Sequence, residues 1–335
     1  LLKEQGYHVI GATMRLWTYS DSCNMKHEGC CAESAVEDAR RVCDKLGIDF
    51  YVMNFKDMFK DKVVDYFVDE YIHGRTPNPC IACNKYLKFD ALLKKALAMG
   101  IDYVATGHYA KIEKGEDGKY ILRASEAVKK DQSYVLYNFT QEQLAHTLMP
   151  LGGYNKDWVR QKAEELGLGV AHKPDSQEIC FVEDDDYAKF ITDYSGYKPK
   201  EGDILDVNGN VIGKHRGLIY YTIGQRKGIG AYGRPMFVMK IDAENNTITL
   251  GEKGMEFSNE LTAYDVNFVS GEFPKENMLI TAKVRYQAPP AAAMLCPQKD
   301  GTVKLMFPEP QRAVTPGQAV VFYDGDIVLG GGTVL

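Results

Sequence analysis

Cys80 and Cys83 stand three positions apart in Thr76-Pro77-Asn78-Pro79-Cys80-Ile81-Ala82-Cys83-Asn84-Lys85. Pro77 and Pro79 fix their own φ and push Thr76 and Asn78 towards extended backbone, so a helix can begin only at Pro79; its spacing carries it to about Met99. Two thiols at such a start lie beside unpaired N–H groups and the positive end of the macrodipole, which favours the thiolate. A further candidate, Cys180, lies in the polar stretch Asp175-Ser176-Gln177-Glu178-Ile179-Cys180-Phe181. Spacing alone leaves three readings of the CxxC open: half of a zinc site, redox or sulfur chemistry, or incidental thiols in a chain with 8 cysteines. A four-cysteine zinc site would want a second CxxC, and the sequence has none.

Other residues could join this chemistry. His108 ends an apolar run in Thr106-Gly107-His108-Tyr109, where Gly107 would let a nucleotide approach the backbone, although a lone histidine is more often structural. The loop from Asp21 to Cys31 could hold a metal through Cys23, His27 and one of Cys30 and Cys31, and reads equally as surface. Cys43 has the spacing of a core residue, and Cys296 before Pro297 that of a barrel residue. Basic side chains occur among polar and aromatic ones at Lys129-Lys130, Arg226-Lys227 and Lys283-Arg285-Tyr286. Singly each suits a solvated surface; together they could track a phosphate backbone while aromatic rings stack on bases.

The elements that must position these groups alternate at first. Strands are expected at His8–Met14, Phe50–Phe55 and Tyr103–Tyr109, and helices over Ala32–Leu46, Lys56–Tyr71 and the CxxC segment. That order predicts an α/β domain with a doubly wound parallel sheet, whose ligands bind beyond the carboxyl ends of the strands, where Met14, Asn54 and Thr106 to Tyr109 fall. Lys111 to Leu122 reads as a hairpin turning at Asp117-Gly118, and Trp158 to Leu166 as a helix stopped by Gly167. After Cys180 the character changes to one short helix and turn-rich β sequence up to about Leu250, then alternating strands such as Leu279–Tyr286 and Ala319–Tyr323. These suggest a small mixed domain followed by a closed β-barrel, with boundaries at 1–185, 186–253 and 254–335.

With 335 residues, 45% hydrophobic and 26% charged, the chain has the composition of a soluble protein of two or three domains. No run of 18 apolar residues is present, which argues against a membrane partner. The cysteines lack the dense layout of a secreted disulfide framework, so a reducing cytoplasm is expected. A net charge of −6 gives a nucleic-acid partner no help beyond local basic patches. Leu1 to Tyr7 reads as a helix end capped by Gly6, so the chain is expected to begin inside a domain.

Taken together, Gly11-Ala12-Thr13-Met14, Gly74-Arg75-Thr76-Pro77-Asn78-Pro79, Cys83-Asn84-Lys85, Ala105 to Tyr109, Lys130 to Tyr134, Asp175-Ser176 through Cys180-Phe181, Tyr221 to Gly228, and Thr315-Pro316-Gly317-Gln318 resemble the bacterial tRNA-specific 2-thiouridylases. The similarity covers essentially the whole chain. It implies an ATP-pyrophosphatase domain, a small central domain and a C-terminal barrel, acting with ATP and Mg²⁺ on the wobble uridine of tRNA. By position, Cys83 matches the family's nucleophile and Cys180 its persulfide carrier, while Met14 and Gly107 match adenine-nucleotide contacts. Asn78, Pro79 and Cys80 match the segment facing the target base; His108, Lys130, Asp131, Gln132, Arg285, Tyr286 and Gln318 match tRNA-contacting positions. The family's Ser-Gly-Gly-Val-Asp-Ser-Ser type phosphate loop is absent and is expected just upstream of Leu1. Cys80 replaces an aspartate found in many relatives.

That resemblance implies two routes. In the first, a cysteine desulfurase or relay protein loads sulfur onto Cys180, and Cys83 releases it by forming a disulfide. In the second, Cys80, Cys83 and Cys180 hold a [4Fe–4S] cluster whose open iron carries hydrosulfide. A non-catalytic, metal-containing RNA-binding module is the rival from another class.

Overall fold

The computed structural model describes residues 1–17, 33–127, 130–173, 179–182 and 185–335. Cys23, His27, Cys30 and Cys31, the candidate metal loop, lie outside them, as do Lys129 and Asp175-Ser176. β1 (Gly11–Arg15) pairs in parallel with β2 (Phe50–Asn54) across the helical crossover α1 (Glu33–Leu46). The first strand begins at Gly11 rather than His8, because its ladder starts where Gly11 stands opposite Phe50. Glycine is required there: a Cβ would fall 2.3 Å from Cys43 Sγ, which places Cys43 in the core as expected.

Two rods follow. α2 (Lys56–Phe59), a π-helical segment (Lys60–Val64) and α3 (Asp65–Ile72) run on from one another. After Gly74 the chain enters α4 (Pro79–Ala82), a second π segment (Cys83–Ala91) and α5 (Leu92–Ala98). Both helices lie where sequence spacing puts them; their wide π turns, which occur often at functional sites, do not show in spacing. Of the strand expected over Tyr103–Tyr109 only β3 (Val104–Ala105) forms. The reason is local: Tyr109 N donates to Gln132 Oε1 at 3.0 Å and Tyr109 O accepts from Gln132 N at 2.9 Å, which turns the segment into a loop.

β4 (Ala110–Lys114) and β5 (Tyr120–Ala124) make the expected hairpin, with Gly118 at φ +82° in its turn. After α6 (Gln141–Ala145) comes β6 (Thr147–Leu148), which pairs in parallel with β3. In this part of the chain the described residues form two parallel pairs, β1–β2 and β3–β6. α7 (Lys156–Glu165) and α8 (Tyr187–Ser195) close this part of the chain.

The central segment is a four-stranded sheet of β7 (Gly202–Leu205), β8 (Val211–His215), β9 (Met236–Asp242) and β10 (Thr247–Glu252), ordered β8-β7-β10-β9. The last segment comprises β11 (Phe257–Phe268), β12 (Met278–Lys283), β13 (Ala291–Pro297), β14 (Val303–Arg312), β15 (Ala319–Asp324) and β16 (Ile327–Val334). These pair as β11-β14-β13-β12-β15-β16, and β16 returns to β11, closing a six-stranded barrel. Closure removes the exposed edges of the sheet. The hairpin β4–β5 reaches the barrel wall through Arg123 opposite Ile327.

The α4–α5 rod separates two apolar clusters. Ala82, Cys83 and Leu87 pack with Phe59, Phe67, Phe181 and Phe190 on one side. Ile81 and Phe89 pack with Tyr134, Tyr137, Phe139 and the barrel residues Ala319, Val321 and Tyr323 on the other.

Candidate active site

Asn78 has extended backbone (φ −115°, ψ 97°), and its Oδ1 accepts from Cys80 N at 3.1 Å and Ile81 N at 3.4 Å. This is an N-cap followed by proline at the first helical position, where the missing N–H costs nothing. Asn before Pro was the signal for it in the sequence. The cap fixes how the next turn projects its thiols. Cys80 is exposed, whereas Cys83, one turn on, is buried beside Leu87 and Phe67.

Cys180 packs against the same cluster as Cys83. Its neighbour Phe181 is 1% exposed, with its ring centroid 5.6 Å from Phe59, 5.3 Å from Phe67 and 5.2 Å from Phe190. The rings meet edge-on with Phe59 and Phe67 and tilted with Phe190, and such contacts hold that stretch of chain in the cluster. Met14, near the carboxyl end of β1, touches this cluster as well. One core therefore gathers Met14, Cys83 and Cys180. At Gly107 an added Cβ would make only an ordinary 3.6 Å contact with Leu151 and no positive φ is present, so neither packing nor backbone demands glycine there.

His108 lies with the other cluster. It is 9% exposed, its Nδ1 is 2.8 Å from Thr106 Oγ1, and its ring is 5.7 Å from that of Phe89. Burial, then the nearby Lys88 charge, push its pKa down to about 3, so the imidazole is neutral near pH 7.

Several positions matched to tRNA contacts are engaged within the protein. Asp131 Oδ1 accepts from Ser125 N at 2.9 Å and Ser133 N at 3.2 Å, and its Oδ2 accepts from Ser133 Oγ at 2.7 Å. Gln132 holds Tyr109 as described. Arg285 is turned inwards, donating to Ile223 O at 3.0 Å and to Thr315 Oγ1, and burial lowers its pKa. Tyr286 is exposed at its edge and donates to Asp131 O at 3.2 Å, and burial of part of its ring, then the Asp131 charge, raise its pKa. Its ring and that of Tyr134 flank Lys283 Nζ at 5.8 and 5.9 Å. Gln318 donates to Thr76 O at 2.8 Å and Pro77 O at 3.4 Å, contacts that no sequence spacing signalled.

Among the described residues no three His, Cys, Asp or Glu side chains converge as a metal site. Cys80 on the surface and Cys83 in the core do not, with Cys180, present three thiolates to one cluster in this conformation. The [4Fe–4S] expectation is not shown by the described residues.

Residues 1–184 match the family described as tRNA methyl transferase HUP domain, 188–252 the tRNA methyl transferase PRC-barrel domain and 258–334 the aminomethyltransferase beta-barrel domain. A tRNA-specific 2-thiouridylase MnmA of Acetivibrio thermocellus is 58% identical, the alignment covering 100% of this chain and 94% of that protein. The chain belongs to the tRNA-specific 2-thiouridylase family. A tRNA-specific 2-thiouridylase MnmA of Clostridioides difficile is 57% identical, with 100% of this chain and 93% of that protein aligned. The family thus combines the α/β domain bearing the cysteines, the central sheet and the closed barrel in one chain. No helix among the described residues is long and apolar enough to cross a membrane.

Proposed function

We propose that this chain is a tRNA sulfurtransferase that replaces the C2 oxygen of the wobble uridine by sulfur at the expense of ATP, with Cys180 as persulfide carrier and Cys83 as its partner nucleophile. The observation that carries this reading is the packing of Cys83, Cys180 and Met14 against one aromatic core. A uridine C2 oxygen is a poor leaving group, so it first attacks the α-phosphorus of ATP, pyrophosphate departs, and the oxygen is left as an adenylate; Mg²⁺ would neutralise the charge that develops. Met14 and Gly107 border the adenine, while Asn78, Pro79 and Cys80 face the base, which must leave its stack to reach them.

A cysteine desulfurase or relay protein loads Cys180 as Cys180–S–SH. The thiolate of Cys83 attacks Cys180 Sγ; the Cys83–Cys180 bond forms, the persulfide bond breaks, and hydrosulfide departs with the electron pair. Hydrosulfide adds at C2 and AMP leaves with the former C2 oxygen. A thiol reductant then supplies two electrons to return both cysteines. The buried setting of Cys83 keeps competing water away from the released sulfur.

The test is tRNA thiolation by the full-length protein, purified without oxygen and given ATP, Mg²⁺, a cysteine desulfurase and cysteine. Cys83→Ser and Cys180→Ser should each lower thiouridine formation by about 100-fold or more, and Cys80→Ser should keep most of it. Full thiolation by Cys180→Ser, or none by the wild type, would overturn the assignment.

A further inference from the structure

The turn Thr315-Pro316-Gly317-Gln318 belongs to the barrel, yet it touches the start of the CxxC helix. Pro316 fixes φ at the second position, Gly317 has φ +87° at the third, and Gln318 N closes the turn on Thr315 O at 3.1 Å, the geometry of type II. In that geometry the middle peptide is flipped, and Pro316 O accepts from Thr76 N at 2.9 Å. The Gln318 amide then donates to Thr76 O at 2.8 Å and reaches Pro77 O at 3.4 Å. Both polar backbone groups of Thr76 are thus served by one turn. Thr222 Oγ1 of the central segment adds a contact to Thr76 Oγ1 at 3.4 Å.

These bonds matter because the catalytic turn has few of its own. Pro77 and Pro79 lack N–H donors, so the stretch before the helix cannot tie itself down. The barrel turn is in contrast firmly held: Gly317 N donates to Val334 O at 2.9 Å, Val334 N to Gln318 O at 2.8 Å, and Arg285 to Thr315 Oγ1. Space is tight too, since a Cβ on Gly317 would fall 3.0 Å from Thr76 N.

Resting on the thiolation reading above, we propose that Gln318 is a positioning residue for the reaction: its amide, together with Pro316 O, sets Thr76-Pro77 and through Asn78 aims Cys80 and Cys83. Its Nε2 donor is directed at Thr76 O and Pro77 O, so it holds the catalytic turn through the protein itself.

The test compares wild type, Gln318→Ala and the volume-matched Gln318→Met in the full-length protein by three measurements. At saturating tRNA, single-turnover thiolation should fall about tenfold in both variants, the scale of one to two net hydrogen bonds. The Kd for tRNA, measured alongside, separates binding from rate: the loss of rate at saturating tRNA should exceed any change in Kd. In reduced protein without tRNA or ATP, alkylation of Cys83 followed by mass spectrometry should speed up about tenfold while that of buried Cys43 does not change, a difference global destabilisation would not produce. Weakened tRNA binding with unchanged Cys83 alkylation would overturn the proposal and make Gln318 a nucleic-acid contact. The alkylation arm needs no thiolation, so failure of the functional reading and failure of this one are told apart. Gln318→Met keeps the test decisive should Gln318→Ala not fold.

Discussion

The two clusters flanking the CxxC helix are built on opposite principles. On the cysteine side, Phe59, Phe67, Phe181 and Phe190 meet ring to ring, and position is set by shape. On the barrel side, Tyr134 OH donates to Ala319 O at 2.7 Å, Asn84 Nδ2 to Val135 O at 3.0 Å, and Asn267 Nδ2 to Tyr137 O at 2.8 Å. Close packing resists volume change but is indifferent to direction, whereas hydrogen bonds fix direction and tie particular atoms together. Sulfur chemistry needs a dry wall, and joining three segments of chain needs defined bonds, so the helix borrows one property from each side.

The comparison breaks most visibly on the aromatic side. Phe181→Ala removes a fully buried ring and should cost ~3–5 kcal/mol in urea unfolding, with thiolation lost alongside because Cys180 loses its anchor. If stability falls by less than about 1 kcal/mol, that wall does not depend on Phe181.

On the barrel side the sharper probe is acid. The folded pKa of His108 lies below its ordinary value, at about 3, so between roughly pH 6.5 and 3 the unfolded chain binds a proton that the folded one refuses. Its contribution to stability is therefore full above pH 6.5 and lost as the pH falls towards 3. His108→Gln should flatten the pH dependence of denaturant midpoints in that window by about 1–3 kcal/mol; an unchanged slope would place the titration elsewhere.

The junction gives the smallest effect. Asn78→Ala removes the cap at the helix start and should cost ~1 kcal/mol, while Asn78→Asp, which keeps an acceptor, should cost less. Equal losses in the two variants would mean that Asn78 acts otherwise than as a cap.

Much of this was legible in the residues. Pro77 and Pro79 announce the helix start, Asp117-Gly118 the hairpin, and the alternating strands after Glu256 the barrel, since each depends on neighbours in sequence. The strand from Tyr103 was read too long because Gln132, 23 positions away, captures Tyr109. The contrast between Cys80 and Cys83 does not follow from CxxC spacing, which sets the two thiols side by side on a helix without saying where the covering core ends. Gln318 was matched by position to a tRNA contact, and its reach to Thr76, 242 positions away, follows only from how the barrel docks.

That separation has a consequence for the order of synthesis. A ribosome completes Cys80 and Cys83 early, but Thr76 finds the partners of both its backbone groups only after residues 316 to 318 have emerged. The catalytic turn is among the first parts made and the last to be set, so a nascent or truncated chain carries the thiols without the frame that aims them.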